Sequence, residues 1–135
     1  MRIASWNVNS ANARLDIIIN WLSLGSCDVL LMQETKSQDQ NFPVEAFSSI
    51  GWNVATHGQK SYNGVAIASH LPIDDVINGL PGDDADQQAR YMEARIHNVY
   101  VASIYLPNGN PAPGPKFDYK LKWMDRLNQR ALTLL

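Results

Sequence analysis

The chain has 135 residues, 45% hydrophobic and 18% charged, with a formal net charge of −2. That size and balance describe one globular unit around a single core, and the near-neutral charge argues against binding nucleic acid by an overall basic field. The apolar runs are too short to span a membrane and Met1-Arg-Ile-Ala-Ser-Trp6 lacks a basic-then-apolar leader, so no membrane partner is expected.

Arg2 to Val8 is short and β-prone, and Asn9, Ser10 and Asn12 supply turn and cap residues behind it. From Ala13 to Leu24 the apolar residues Leu15, Ile18, Ile19 and Leu22 have helical spacing, and Gly25 closes the helix. The single cysteine, Cys27, cannot form an internal disulfide. It precedes an apolar run, so it reads as a small core residue, and its lack of a partner fits an intracellular, cytoplasmic protein. Val29-Leu-Leu-Met32 is the continuous apolar run of a strand buried on both faces, so strand, helix and strand open the chain in a βαβ-like pattern. A short helix is predicted at Pro43 to Ser48. Beyond Gly51, β-prone segments follow at Trp52–His57, Gly64–Ala68, Val76–Leu80, Tyr91–Ile96 and Val99–Tyr105, punctuated by turn residues such as Gly58, Asn63-Gly64 and Pro81-Gly82. Pro107 to Pro115 holds four prolines and two glycines and reads as a loop. Phe117, Leu121, Met124, Leu127, Ala131 and Leu134 again have helical spacing. That helix reaches Leu135 with no Gly, Pro or polar tail, and we expect the chain to stop inside a larger fold.

Three side chains stand at the ends of predicted strands: Asn7 after the first, Glu34 after the second and Tyr105 after the last. Loops converge over such ends in α/β sheets, and ligands bind there. A carboxylate, an amide and a phenol can together bind a hard cation and a phosphate. Each also has a plainer reading: Glu34 as the return to water, Asn7 as a turn former, and Tyr105 as a packed ring with a wet hydroxyl.

Their surroundings are more specific. Ser5-Trp-Asn-Val-Asn9, Gln33-Glu-Thr-Lys36, His57-Gly-Gln-Lys60, Tyr62-Asn-Gly-Val-Ala66, Pro81-Gly-Asp-Asp84, Gln88-Ala-Arg90 and Tyr105-Leu-Pro-Asn-Gly109 occur in this order. The series resembles the exonuclease III and abasic-site endonuclease family of DNase I-like phosphodiesterases, from Met1 to about Arg130. The Asn7 and Gln33-Glu-Thr35 blocks mark the broad superfamily, which also holds lipid and inositol-phosphate phosphodiesterases. The blocks at His57, Pro81 and Tyr105 point to the DNA-repair branch.

The resemblance implies an α/β fold of the α+β type. Residues 1–135 are expected to form the N-terminal half of a four-layer sandwich, mostly as one mixed β-sheet with flanking helices, with the other sheet face apolar and open. It implies Mg²⁺ (or Mn²⁺) on Glu34 with help from Asn7, and a catalytic group of Asn7, Tyr105 and Asn108. Arg90, Lys36, Tyr62 and Asn108 are expected against DNA, while His57 reads as structural. The implied substrate is double-stranded DNA with an abasic site, hydrolysed on its 5′ side, with 3′→5′ exonuclease action as well.

The family also needs a Gly-Asp-x-Asn segment and a Ser-Asp-His segment, and this chain contains neither. The C-terminal half is therefore absent from these residues, and the chain is expected to be inactive alone. A complementary C-terminal half or a second copy is expected to cover the open sheet face. Two other readings stand beside this one: a non-catalytic remnant that binds DNA or associates with protein, and another DNase I-like phosphodiesterase acting on a lipid or small phosphate.

Overall fold

A computed structural model describes residues 1–135. β1 (Ile3–Asn7) and β2 (Val29–Gln33) are joined by α1 (Leu15–Ser23) and run parallel, from Ile3 opposite Val29 to Asn7 opposite Gln33. A 3₁₀ turn (Asp39–Asn41) and the short α2 (Val44–Ser48) lead to β3 (Asn53–His57) and β4 (Val65–Ser69). Both add antiparallel, so the first sheet has the order β1-β2-β4-β3. β5 (Asp74–Asn78), β6 (Tyr91–Ile96) and β7 (Val99–Ile104) form a second, antiparallel sheet in chain order. α3 (Pro115–Leu134) follows the proline-rich loop, with Pro115 at its first position, where a missing N–H leaves no hydrogen bond unmade.

Three apolar clusters stack these elements into four layers. Ile18, Leu22 and Phe47 of the first two helices bury against Leu30, Met32, Ala66 and Ala68 on the outer face of the first sheet. Val29, Val65 and Ile67 on its inner face meet Met92, Ala94, Ile96 and Val101 of the second sheet. Trp123 of α3 packs on Leu80 and Tyr91 over the far side of that second sheet.

The α/β class and the parallel opening unit stand as expected. The sequence reading differs in the division of strands, since it puts most of them in one mixed sheet with an open apolar face. The chain instead splits its strands four and three, and the second sheet covers the apolar inner face of β2 and β4, leaving that of β1 exposed. The reason lies in β4 and β6: every residue of β4 is buried, and all of β6 except Arg95. A strand buried on both faces needs a layer on each side, which helices supply outside and the opposite sheet supplies inside.

The end of the first sheet remote from Glu34 is pinned by Asp28. Its carboxylate accepts the Arg2 backbone N–H at 2.6 Å and pairs with His70 Nε2 at 2.8 Å. The Arg2 bond first, then the His70 bond, hold this carboxyl below the usual range. A carboxyl whose pKa is lowered on folding stabilises the fold above its unfolded value. That contribution is lost as pH falls through the folded value. Asp28→Asn is therefore expected to lower stability at neutral pH and to flatten the acid limb of the stability profile. Urea unfolding at about pH 7 and about pH 3 checks this, and a parallel pair of acid limbs for wild type and variant would count against it.

Candidate active site

The ends of β1 and β2 stay zipped after the strands stop. Val8 N–H donates to the Gln33 carbonyl, Ser10 N–H to Glu34 and Ala11 N–H to Thr35, at 2.8–3.0 Å. On the other flank, Thr35 and Lys36 N–H groups donate to the Gly64 and Asn63 carbonyls at 3.1 and 2.9 Å. The segment carrying Glu34 is thus clamped on both sides, and the clamp imposes unusual backbone. Asn9, Glu34 and Lys36 all have left-handed φ, at 45°, 53° and 51°. Such angles cost a residue with a Cβ about 1–2 kcal/mol, so surrounding bonds hold them in place.

Gly64 makes the approach possible. Its φ is +93°, and a Cβ there would lie 2.1 Å from the buried Thr35 Oγ1. Gly64→Ala is expected to destabilise by at least about 2 kcal/mol and to displace the Glu34 segment. Guanidinium unfolding measures the first effect, and a midpoint equal to wild type would show that the loop yields freely.

Within this frame the side chains converge. Asn7 Nδ2 donates to Glu34 Oε2 at 2.5 Å, and Asn7 Oδ1 accepts the Asn9 N–H at 3.2 Å. The Asn9 donor fixes which way the amide points: its N–H₂ end faces Glu34. Asn7 therefore orients the carboxylate rather than adding a second oxygen beside it. Lys36 Nζ donates to Asn9 Oδ1 at 2.6 Å and lies 3.9 Å from Glu34 Oε1, so a cation balances the carboxylate from the same loop.

Tyr105 arrives from the second sheet, just past β7. Burial first, and then the Glu34 carboxylate, push its hydroxyl above the ordinary phenol pKa, while Arg90 opposes them. The guanidinium of Arg90 stacks 4.9 Å from the Tyr105 ring centre, its Nε donates to Gln88 Oε1 at 2.7 Å, and the Tyr105 N–H donates to the Arg90 carbonyl at 2.8 Å. Beside Arg90 opens a polar groove of 570 Å³ lined by Tyr62, Asn63, Gln88, Asn108, Asn110 and Lys116, among others. Asn108 accepts a bond from Asn110 at one rim, and Tyr62 is 72% exposed at another. His57 sits apart at the end of edge strand β3, half-buried, with burial depressing its pKa against a smaller opposing effect from Asp39.

So Asn7, Glu34 and Lys36 touch, Tyr105 faces Glu34, and Arg90, Tyr62 and Asn108 line the adjoining groove. Three further residues lie in the quoted sequence blocks but have roles that the sequence alone does not assign. Asn9 seats Lys36. Gln33, buried, donates to Ser5 Oγ at 3.1 Å and Ser103 Oγ at 3.2 Å, joining the two sheets under the site. Gln59 Oε1 accepts both the Ala89 N–H at 2.7 Å and the Asn63 amide at 3.0 Å, tying together two loops of the groove. An amide closing an otherwise apolar strand is the one local signal for Gln33; Lys36, the partner of Asn9, and Ala89, one partner of Gln59, lie too far along the chain to leave one.

The donor set suits a hard divalent ion in kind. Such ions take carboxylate oxygen, bind few protein groups and keep several waters. No group of three His, Cys, Asp or Glu side chains gathers anywhere in the chain. Glu34, steadied by Asn7, is the residue that would hold the ion.

Residues 4–135 match the model of the endonuclease/exonuclease/phosphatase family. An exodeoxyribonuclease of Bacillus subtilis is 30% identical over 138 aligned residues, which take in 99% of this chain and 53% of that protein. Among solved structures, an AP endonuclease from Archaeoglobus fulgidus is 42% identical with a TM-score of 0.89, covering 94% of this chain and 49% of that one. A 3′ phosphatase from Neisseria, bound to product DNA hairpin, is 41% identical with a TM-score of 0.93, covering 96% of this chain and 50% of that one. The chain spans about half the length of the relatives it matches.

Proposed function

This chain belongs to the endonuclease/exonuclease/phosphatase family, and from that premise we propose that it supplies one half of an exonuclease III-type nuclease centre acting on abasic DNA with Mg²⁺. The observation that carries the proposal is the Asn7–Glu34–Lys36 cluster meeting Tyr105 and Arg90 at the strand ends. When bound, the ion supplies neutralisation of charge on a phosphoryl oxygen. Glu34 would hold it, Asn7 keeps the carboxylate oriented, and Lys36 offsets its charge toward a phosphate. A phenol is protonated at neutral pH, so the Tyr105 hydroxyl can donate a hydrogen bond to a phosphate oxygen. Arg90 adds charge and a planar face beside the same position, and Tyr62, Asn108 and Lys116 extend the contact along the backbone. The groove accommodates a sugar that has lost its base, a unit that leaves the stack at little cost. The family's Gly-Asp-x-Asn and Ser-Asp-His groups are supplied by a complementary half, and the chain alone does not turn over.

One observation favours a second reading, a DNA-binding module without catalysis: no three His, Cys, Asp or Glu side chains gather at the site. Binding separates the readings of substrate. The chain is titrated into a fluorescent duplex with one abasic site at several salt concentrations, with inositol hexakisphosphate as competitor. The expected result is salt-dependent binding whose slope falls by about 1 in Lys36→Ala, one phosphate contact fewer. Binding of the inositol phosphate in preference to DNA would assign the site to a different branch of phosphodiesterases.

A further inference from the structure

The groove beside Arg90 is lined by five carboxamides, and the hydrogen bonds they make decide which end of each faces outward. A carboxamide whose oxygen accepts an N–H cannot turn its N–H₂ to the same place, because donor would then meet donor. Gln59 Oε1 accepts two such groups, the Ala89 N–H at 2.7 Å and the Asn63 N–H₂ at 3.0 Å. Gln88 Oε1 accepts Arg90 Nε at 2.7 Å, and the Gln88 backbone N–H donates to Asp86 at 3.0 Å. Both side-chain oxygens are committed inward, and neither glutamine uses its Nε2 within the chain. Asn63 and Asn110 spend their N–H₂ groups on Gln59 and Asn108 and act as supports.

The surroundings match those two free donors. Ala89, which Gln59 holds, lies between Gln88 and Arg90, so both N–H₂ groups are anchored next to the Arg90 guanidinium. Arg90 and Lys116 are the cations of the lining, and no Asp or Glu belongs to it. Asp86, the carboxylate behind Gln88 and Tyr119, is only 7% exposed and is paired with Arg126. N–H donors beside a guanidinium, with no carboxylate among them, suit an anion with several acceptor oxygens. A base edge mixes donors with acceptors, whereas a phosphate only accepts.

We propose that Gln59 and Gln88 are phosphate-binding residues. With Arg90, their N–H₂ groups hold a phosphate one step along the strand from the one at Glu34 and Tyr105. Assigning that anion to DNA rests on the reading of the site as a nuclease centre; the anion site itself does not. Gln59 also ties the Tyr62 loop to the Arg90 segment through its oxygen, so one side chain spaces the walls and touches the ligand.

Glutamate separates the inward role from the outward one. A carboxylate still accepts the Ala89, Asn63 and Arg90 N–H groups, so Gln59→Glu and Gln88→Glu keep the loops tied. Each replaces a donor facing the phosphate with a charged acceptor. Gln87 is exposed and outside the groove, so Gln87→Glu adds the same charge beside it. The full chain is titrated into a fluorescent duplex with one abasic site. Both groove variants are expected to bind at least about tenfold more weakly, and Gln87→Glu within about twofold of wild type. Equal losses in all three would reduce the effect to overall charge and overturn the proposal, as would unchanged binding in both groove variants. The side-chain N–H₂ resonances of Gln59 and Gln88 give a readout that tying loops does not move. In the wild-type chain they are expected to shift with the duplex and with inorganic pyrophosphate alone. Shifts with pyrophosphate but not with duplex would leave the anion site standing and overturn the nuclease reading. Duplex-induced shifts at Asn7 and Lys36 without any at the glutamines would do the reverse, and silence of both glutamines with both ligands would also overturn the anion site.

Discussion

Glu34→Gln in the assembled nuclease is expected to lower turnover by about 10³-fold or more while leaving the fold in place. Within this chain no group of three His, Cys, Asp or Glu side chains gathers, so Glu34 is the charged oxygen it would offer for phosphate neutralisation. Stability responds differently. Glu34 has a φ of 53°, which glycine tolerates and alanine does not. Glu34→Gly is therefore expected to be more stable than Glu34→Ala by about 1 kcal/mol, with both inactive. The pair separates the two demands on this position: backbone strain set by the clamp of Ser10, Ala11, Asn63 and Gly64, and carboxylate chemistry set by Asn7 and Lys36. Parallel denaturant melts and single-turnover assays read both. Equal stability of the two variants would mean that the left-handed backbone carries no strain.

The second large effect is structural. Arg126 of α3 donates through Nη1 to Asp86 at 2.8 Å and through Nη2 to the Leu80 carbonyl at 2.6 Å, and Tyr119 donates its hydroxyl to the same Asp86 oxygen at 2.8 Å. The two charged side chains are only 14% and 7% exposed. Burial pushes the Asp86 carboxyl up, but the Arg126 bond, the Gln88 N–H and the Tyr119 hydroxyl together hold it below the ordinary range. The Tyr119 hydroxyl is raised in turn, by burial first and then by Asp86. Arg126→Met leaves that carboxylate buried without its cation and frees the Pro81–Asp86 loop from α3. Its expected cost is about 3–5 kcal/mol, the usual penalty for breaking one side of a buried pair. Arg126→Met with Asp86→Leu should recover most of the loss, because the double change removes the stranded charge as well. Non-recovery in the double variant would show that the carbonyl contacts of Arg126, not the ion pair, secure the helix.

Much of this arrangement is legible in local sequence. The helical spacing at Leu15, Ile18, Ile19 and Leu22 corresponds to α1, and Ile18 and Leu22 are its buried residues. The apolar run at Val29–Met32 forms β2 with both faces covered. Strand-end position singled out Asn7, Glu34 and Tyr105, and the fold brings them to one place. What could not be read depends on contacts between distant parts of the chain. The buried runs of β4 and β6 state that each strand is covered twice, but not that they cover each other. The Gln33–Ser103 bond spans 70 positions and the Arg126–Asp86 bond spans 40. Nor does any glycine announce the left-handed turns at Glu34 and Lys36, because hydrogen bonds from neighbouring segments, not residue type, impose them. The predicted strand at Val76–Leu80 begins two residues earlier, at Asp74, where Arg95 on the paired strand bonds Asp75 at 2.6 Å and replaces apolar pairing with charge.

The most direct measurement is cleavage of a duplex with one abasic site by this chain alone and by the chain mixed with the complementary half, each with Mg²⁺ or with EDTA. The expected result is cleavage only in the mixed sample with Mg²⁺, lost when the chain carries Glu34→Ala. Mg²⁺-dependent cleavage by the chain alone would contradict the assignment of half a centre. Activity in the mixture that survives Glu34→Ala would contradict the placing of the metal carboxylate.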